Sequence, residues 1–79
     1  MRSMSELAER AVVLQALRED HGPWWSRAEL ESALPDVAPP AVAAAVAALG
    51  EQGVLELDGE RLRAGRAALR LDALGLIAV

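Results

Sequence analysis

The side chains best suited to chemistry in this chain are its arginines. The 79 residues include eight arginines, no lysine and one histidine, against twelve acidic residues, and the net charge is −4. Residues 28–60 carry seven carboxylates and no arginine, whereas the chain from Arg61 onward carries four arginines and one aspartate. Because a guanidinium group binds phosphate oxygens through paired hydrogen bonds, this uneven distribution indicates an anion-binding end of the chain.

Five arginines are the candidate DNA-contacting residues. They are Arg27, Arg61, Arg63, Arg66 and Arg70. Arg27 joins the set because it lies at the start of a predicted helix. A second interpretation stays open, in which Arg61 pairs with Glu56 across a hairpin and the other arginines are solvated surface side chains, as most clustered charges are.

The remaining polar residues do not form a catalytic or metal site. Cysteine and tyrosine are absent, and His21 has no second histidine near it in the sequence. The acidic pairs Glu19–Asp20 and Glu29–Glu31 come without a glycine-rich loop or a metal-ligand spacing. We therefore expect no catalytic residue, no metal site, no cofactor and no enzymatic activity.

Capping signals and apolar spacing predict a single domain over residues 1–79. Ser3 with Glu6, and Ser26 with Glu29, match the capping box that starts a helix. Trp25 and Leu30 match the hydrophobic staple beside the second box, which favours a core position for Trp25 over a partner-binding one. The predicted elements are helices over 5–20, 27–34, 40–52 and 66–74 and a hairpin over 54–63.

The predicted hairpin turns at Asp58-Gly59, since an Asp-Gly pair between alternating apolar residues is a strong turn signal. That turn places Leu55 opposite Leu62 and Glu56 opposite Arg61. The expected fold class is α+β, with a three-helix core, a two-stranded wing and a short C-terminal helix.

The order of these elements resembles the winged helix-turn-helix family. The resemblance rests on the segments Ser26–Leu30, Val42–Leu49, Gln52–Leu55 and Asp58–Leu62, together with Arg66–Asp72, which looks like the closing segment of small actinobacterial members. It implies a DNA-binding transcriptional regulator whose third helix enters the major groove and whose wing contacts the backbone. We expect the wing and the start of helix two to contact phosphate.

The third helix departs from that family pattern. Its expected contact face consists of Ala41, Ala44, Ala47 and Ala48, and alanine makes none of the paired hydrogen bonds that distinguish bases. The alternative function is therefore a protein–protein interaction or dimerisation module without DNA binding, in which this face accepts a partner helix.

The apolar C-terminal end predicts self-association. The candidate dimer interface consists of Val12, Val13, Leu74, Leu76, Ile77 and Val79, although the tail can instead complete the core of one chain. The longest uncharged stretch, Val37 to Gly50, is shorter than the ~20 residues of a membrane-spanning helix. We expect a cytoplasmic homodimer without a membrane partner.

Overall fold

The computed structural model describes residues 3–18 and 20–76, which form four helices and a three-stranded antiparallel sheet. In chain order the elements are α1 (Met4–Ala16), β1 (Trp25–Ser26), α2 (Arg27–Ala33), α3 (Pro39–Glu51), β2 (Leu55–Asp58), β3 (Arg61–Ala64) and α4 (Arg66–Ala73). The predicted α+β class is confirmed, and the element order is consistent with a small winged-helix-like fold. In the part of the chain described, no helix is long and apolar enough to cross a membrane.

A small aliphatic core holds the helices against the sheet. The side chains of Val12, Leu30, Val42 and Leu62 are fully buried, and they come from α1, α2, α3 and β3. Trp25 is 4% exposed and lies opposite Leu62 in the sheet, which confirms its predicted core position. A chain of this size buries a small core, so the position of each helix and of the sheet depends on these few side chains.

The start of α2 forms as the sequence predicts. The Ser26 hydroxyl accepts a hydrogen bond from the Glu29 amide, and the Glu29 carboxylate accepts one from the Ser26 amide. At the start of α1 only half of the predicted box is present, since Ser3 accepts from the Glu6 amide without the reciprocal bond. The α2 box satisfies two amides that a helix start otherwise leaves unpaired.

The predicted end of the first helix is wrong. The helix stops at Ala16, with Leu17 as its cap, instead of continuing to residue 20. Arg18 then forms two hydrogen bonds with Asp20, two residues further on. Residues two apart do not face each other on a helix, so this ion pair requires the chain to have left the helix. The other predicted helix bounds differ from the structure by about one residue.

The predicted hairpin register is also wrong. Leu55 pairs with Ala64 and Glu56 pairs with Arg63, so the two-residue turn is Gly59-Glu60 and not Asp58-Gly59. Gly59 has a φ of +62°, while Glu60 is not among the residues with positive φ. A positive φ at the first central residue alone is the pattern of a type II′ turn, which suits the twist of paired strands.

The sheet contains a third strand that we did not predict. The two residues of β1 pair with β3, which gives the strand order β1-β3-β2. Strand β1 directly precedes α2 and places Trp24 beside the wing. Strand β3 of the wing is therefore paired along both edges, with β1 on one side and β2 on the other.

One member of the predicted dimer interface is buried within the monomer. Val12 of α1 has an exposure of 0% because its side chain packs in the core. It therefore offers no surface to a second chain. Val13 is half-buried against the same core. Leu74 and Leu76 are exposed by 53% and 69%. Ile77 and Val79 lie outside the described residues.

Candidate nucleic-acid interface

Three arginines meet in one groove on the molecule. Arg18, Arg63 and Arg66 line a groove of about 910 Å³, which we call the basic groove, and His21 lies among them. It runs between the end of α1, the hairpin and the start of α4. Among the described residues that line it, Glu56 is the one carboxylate. The basic groove therefore concentrates positive charge on a chain whose overall charge is negative.

Gly65 brings the start of α4 against the hairpin and so places Arg66. The Gly65 amide donates a hydrogen bond to the Val54 carbonyl at 2.8 Å. A β-carbon at this position would approach the Gly53 carbonyl oxygen to 2.6 Å, which is closer than a normal contact. The absence of a side chain is therefore what allows the two backbones to approach.

The two wing arginines share one aromatic surface. The guanidinium carbons of Arg61 and Arg63 lie 4.7 Å and 4.6 Å from the centre of the Trp24 ring. Both distances fall within the range of cation–π attraction. Trp24, for which the sequence indicated no clear role, thus restricts two long side chains to the outer face of the sheet.

Each of these arginines also has a carboxylate partner. Arg63 contacts Glu56 at 2.9 Å, and Arg61 contacts Asp58 at 3.3 Å. The predicted pairing of Arg61 with Glu56 is wrong, because it assumed the shifted register. All four side chains are 40–66% exposed. Exposed ion pairs contribute about 0–1 kcal/mol, so a phosphate competes for these guanidinium groups at little cost.

Arg18 is a groove residue that the sequence did not single out. It donates to both carboxylate oxygens of Asp20, at 2.9 Å and 2.6 Å, and this pairing lowers the pKa of Asp20. The predicted helix over 5–20 included Arg18 as an ordinary helical residue. The one local feature is the i,i+2 spacing of Arg18 and Asp20, which does not let the two side chains pair on a helix.

The five predicted arginines do not act as one group. Arg63 and Arg66 line the basic groove. Arg61 does not line it, but it contacts the same Trp24 ring as Arg63. Arg70 follows Arg66 by one helical turn but does not line the groove. Arg27 instead lines a separate groove with Glu31 and Glu60, where carboxylates outnumber it.

His21 connects the loop after α1 to the start of α2. Its ring stacks on Trp25 with 3.6 Å between the ring centres and 14° between the planes. Nδ1 donates to the Gly22 carbonyl at 2.7 Å, and Nε2 donates to the Glu29 carboxylate at 2.8 Å. Since both partners accept hydrogen bonds, the doubly protonated imidazolium satisfies this geometry best.

The same contacts shift two pKa values in opposite directions. The Gly22 carbonyl and then the Glu29 carboxylate raise the pKa of His21. Hydrogen bonds from the Ser26 amide and then from His21 lower the pKa of Glu29. Within residues 3–18 and 20–76, no three acidic or histidine side chains are grouped so as to hold a metal ion.

The raised pKa of His21 predicts a pH-dependent stability. The imidazolium stabilises the folded state fully below the unfolded pKa of histidine, about 6.5, and this contribution disappears as the pH rises through the higher folded value. We expect the urea midpoint of the unaltered protein to fall between about pH 5.5 and pH 8.5. The His21→Gln variant should lose most of that fall, and an identical fall in the variant would contradict the assignment.

The predicted contact face of the third helix divides into two parts. Ala44 and Ala47 are exposed, whereas Ala41 and Ala48 are half-buried. Ala41, Ala44 and Ala48 line a groove shared with α1, and Ala47 lies outside it. The exposed side of α3 therefore offers methyl groups and the Glu51 carboxylate, with no donor for a base edge.

Comparison with known protein families, with curated proteins and with solved structures finds no match for this chain.

Proposed function

We propose that the protein binds double-stranded DNA through the basic groove, by contacts of Arg18, Arg63 and Arg66 with backbone phosphates. The observation that carries the proposal is that Arg18, Arg63 and Arg66 line one groove, in which Glu56 is the one carboxylate among the described lining residues. Guanidinium groups supply most of the sequence-independent affinity for DNA. Arg61, which lies over Trp24 at the edge of this groove, extends the same surface.

The choice of duplex DNA as the ligand rests on the resemblance to winged-helix proteins and on the consistent element order. In this proposal the sheet and the start of α4 face the backbone, while the alanines of α3 contribute little base discrimination. The protein then binds many sequences with similar affinity. A regulatory role in transcription follows from the resemblance, and a location in the reducing cytoplasm follows from the absence of cysteine.

The distribution of charge supports a single orientation on DNA. The net charge of the chain is −4, and the groove that contains Arg27 also contains Glu31 and Glu60. Carboxylates on these other surfaces repel phosphate, so the encounter favours the basic groove. This arrangement predicts weak binding with a defined docking face.

The proposal is tested by mapping the amides of the ¹⁵N-labelled protein that shift when a mixed-sequence duplex is added. We expect the largest shifts at Arg18, at His21 and between Arg63 and Arg66, with small shifts along α3. The amides of Ala44 and Ala47 serve as the internal reference for a bystander surface. Shifts concentrated on α3, or no shifts at all, would overturn the proposal.

A further inference from the structure

Helix α4 carries an apolar stripe that the described residues leave uncovered. Ala67 and Leu71 of α4 and the cap residue Leu74 follow one another at helical spacing, and Leu71 and Leu74 are 43% and 53% exposed. Ala68 is the one residue of this helix that is buried. A two-turn helix with so little burial is marginal in water, so this stripe is suited to packing against a partner.

A second apolar surface lies between α1 and α3. This groove, of about 640 Å³, has alanines of α3 on one side and Met4 and Leu7 of α1 on the other. Met4 is 79% exposed and Leu7 is 45% exposed. Glu9 and Asp36 also line it, and among the residues that the structure describes no arginine does. We call it the acidic groove.

The two surfaces are complementary in side-chain size and in charge. The small side chains of Ala41, Ala44 and Ala48 permit a close approach of another helix backbone, and the carboxylates favour a cationic flank. Arg70 supplies such a flank, because it lies next to Leu74 when α4 is viewed down its axis at about 100° per residue. Apolar contact with matched flanking charge is the usual basis of a specific helix pair.

We propose that two copies of the chain associate by reciprocal docking of α4. The stripe of Ala67, Leu71 and Leu74 from each copy lies in the acidic groove of the other copy, while α4 keeps its place in its own chain. The docking is reciprocal, so it forms a closed two-fold dimer. Arg66 and Leu69, which line the basic groove, are on another side of α4 from the stripe. The basic groove therefore remains accessible, and the dimer does not depend on DNA binding.

Cysteine trapping tests this contact directly, because the chain has no native cysteine. The single variants Ala44→Cys and Leu74→Cys are mixed and oxidised, and a disulfide requires α-carbons within about 7 Å. We expect the mixed disulfide to form about tenfold faster, or more, than between Leu74→Cys and Ala47→Cys. Ala47 is the matched control, since it is exposed on the same helix outside the acidic groove.

Sedimentation of the unaltered protein provides the second readout, which also contains no DNA. At about 100 μM, well above a micromolar dissociation constant, we expect twice the chain mass of 8.4 kDa. A monomer, including one whose acidic groove binds a foreign helix, would overturn the proposal. Equal trapping at Ala44 and Ala47 would overturn the assigned contact, and a ladder of larger masses would overturn the reciprocal docking.

Discussion

The double variant Arg63→Ala with Arg66→Ala is expected to bind duplex DNA at least about tenfold more weakly than the unaltered protein. Each substitution removes a guanidinium group from the basic groove, and a charged hydrogen bond contributes about 1.5–3 kcal/mol before competing contacts are counted. Loss of Arg63 also leaves Glu56 without its ion-pair partner in the groove. Fluorescence anisotropy of a labelled duplex measures the change.

The matched control for charge is Arg10→Ala with Arg27→Ala. This pair changes the net charge by the same amount, but Arg10 and Arg27 do not line the basic groove. We expect the control to retain most of the affinity and most of the salt dependence. Equal losses in the two double variants would show that net charge, and not the groove, determines binding.

The variant Leu30→Ala is expected to lose about 2–5 kcal/mol of unfolding free energy. Leu30 of α2 is 0% exposed and belongs to the buried core, so its removal leaves a cavity in a core with few large side chains. A small domain has a net stability of about 5–15 kcal/mol, and this change removes a large fraction of it. Urea unfolding followed by Trp fluorescence measures the loss.

Leu69→Ala is the control for the same side-chain truncation at the surface. Leu69 is 53% exposed, and we expect its replacement to cost about 1 kcal/mol or less. If Leu30→Ala lost no more unfolding free energy than Leu69→Ala, the account of the core would be contradicted, because the protein would then tolerate a cavity at its centre.

Local signals were sufficient to predict most of the helices. The Ser26–Glu29 box and the Pro39-Pro40 pair place the starts of α2 and α3 because each satisfies or removes amides that a helix start leaves unpaired. These effects act within one helical turn, so the sequence alone contains them. The α+β class then follows from the change of period after Gly53.

Features that depend on long-range pairing were not predictable in the same way. Asp58-Gly59 and Gly59-Glu60 are both two-residue turns with glycine, and the choice between them depends on Ala64 being buried opposite Leu55. Strand β1 has two residues and no sequence signal of its own, since it forms by pairing Trp25 with Leu62. The basic groove depends on two features of this kind. The hairpin register places Arg63, and the end of α1 places Arg18.

The salt dependence of duplex binding by the unaltered protein tests the central claim most directly. Three phosphate contacts, from Arg18, Arg63 and Arg66, predict a slope of about −2.7 in a plot of log affinity against log salt concentration. The Arg63→Ala, Arg66→Ala variant should reduce the steepness of that slope by about 2. A flat salt dependence, or no binding even at low salt, would contradict the claim that the basic groove binds the DNA backbone.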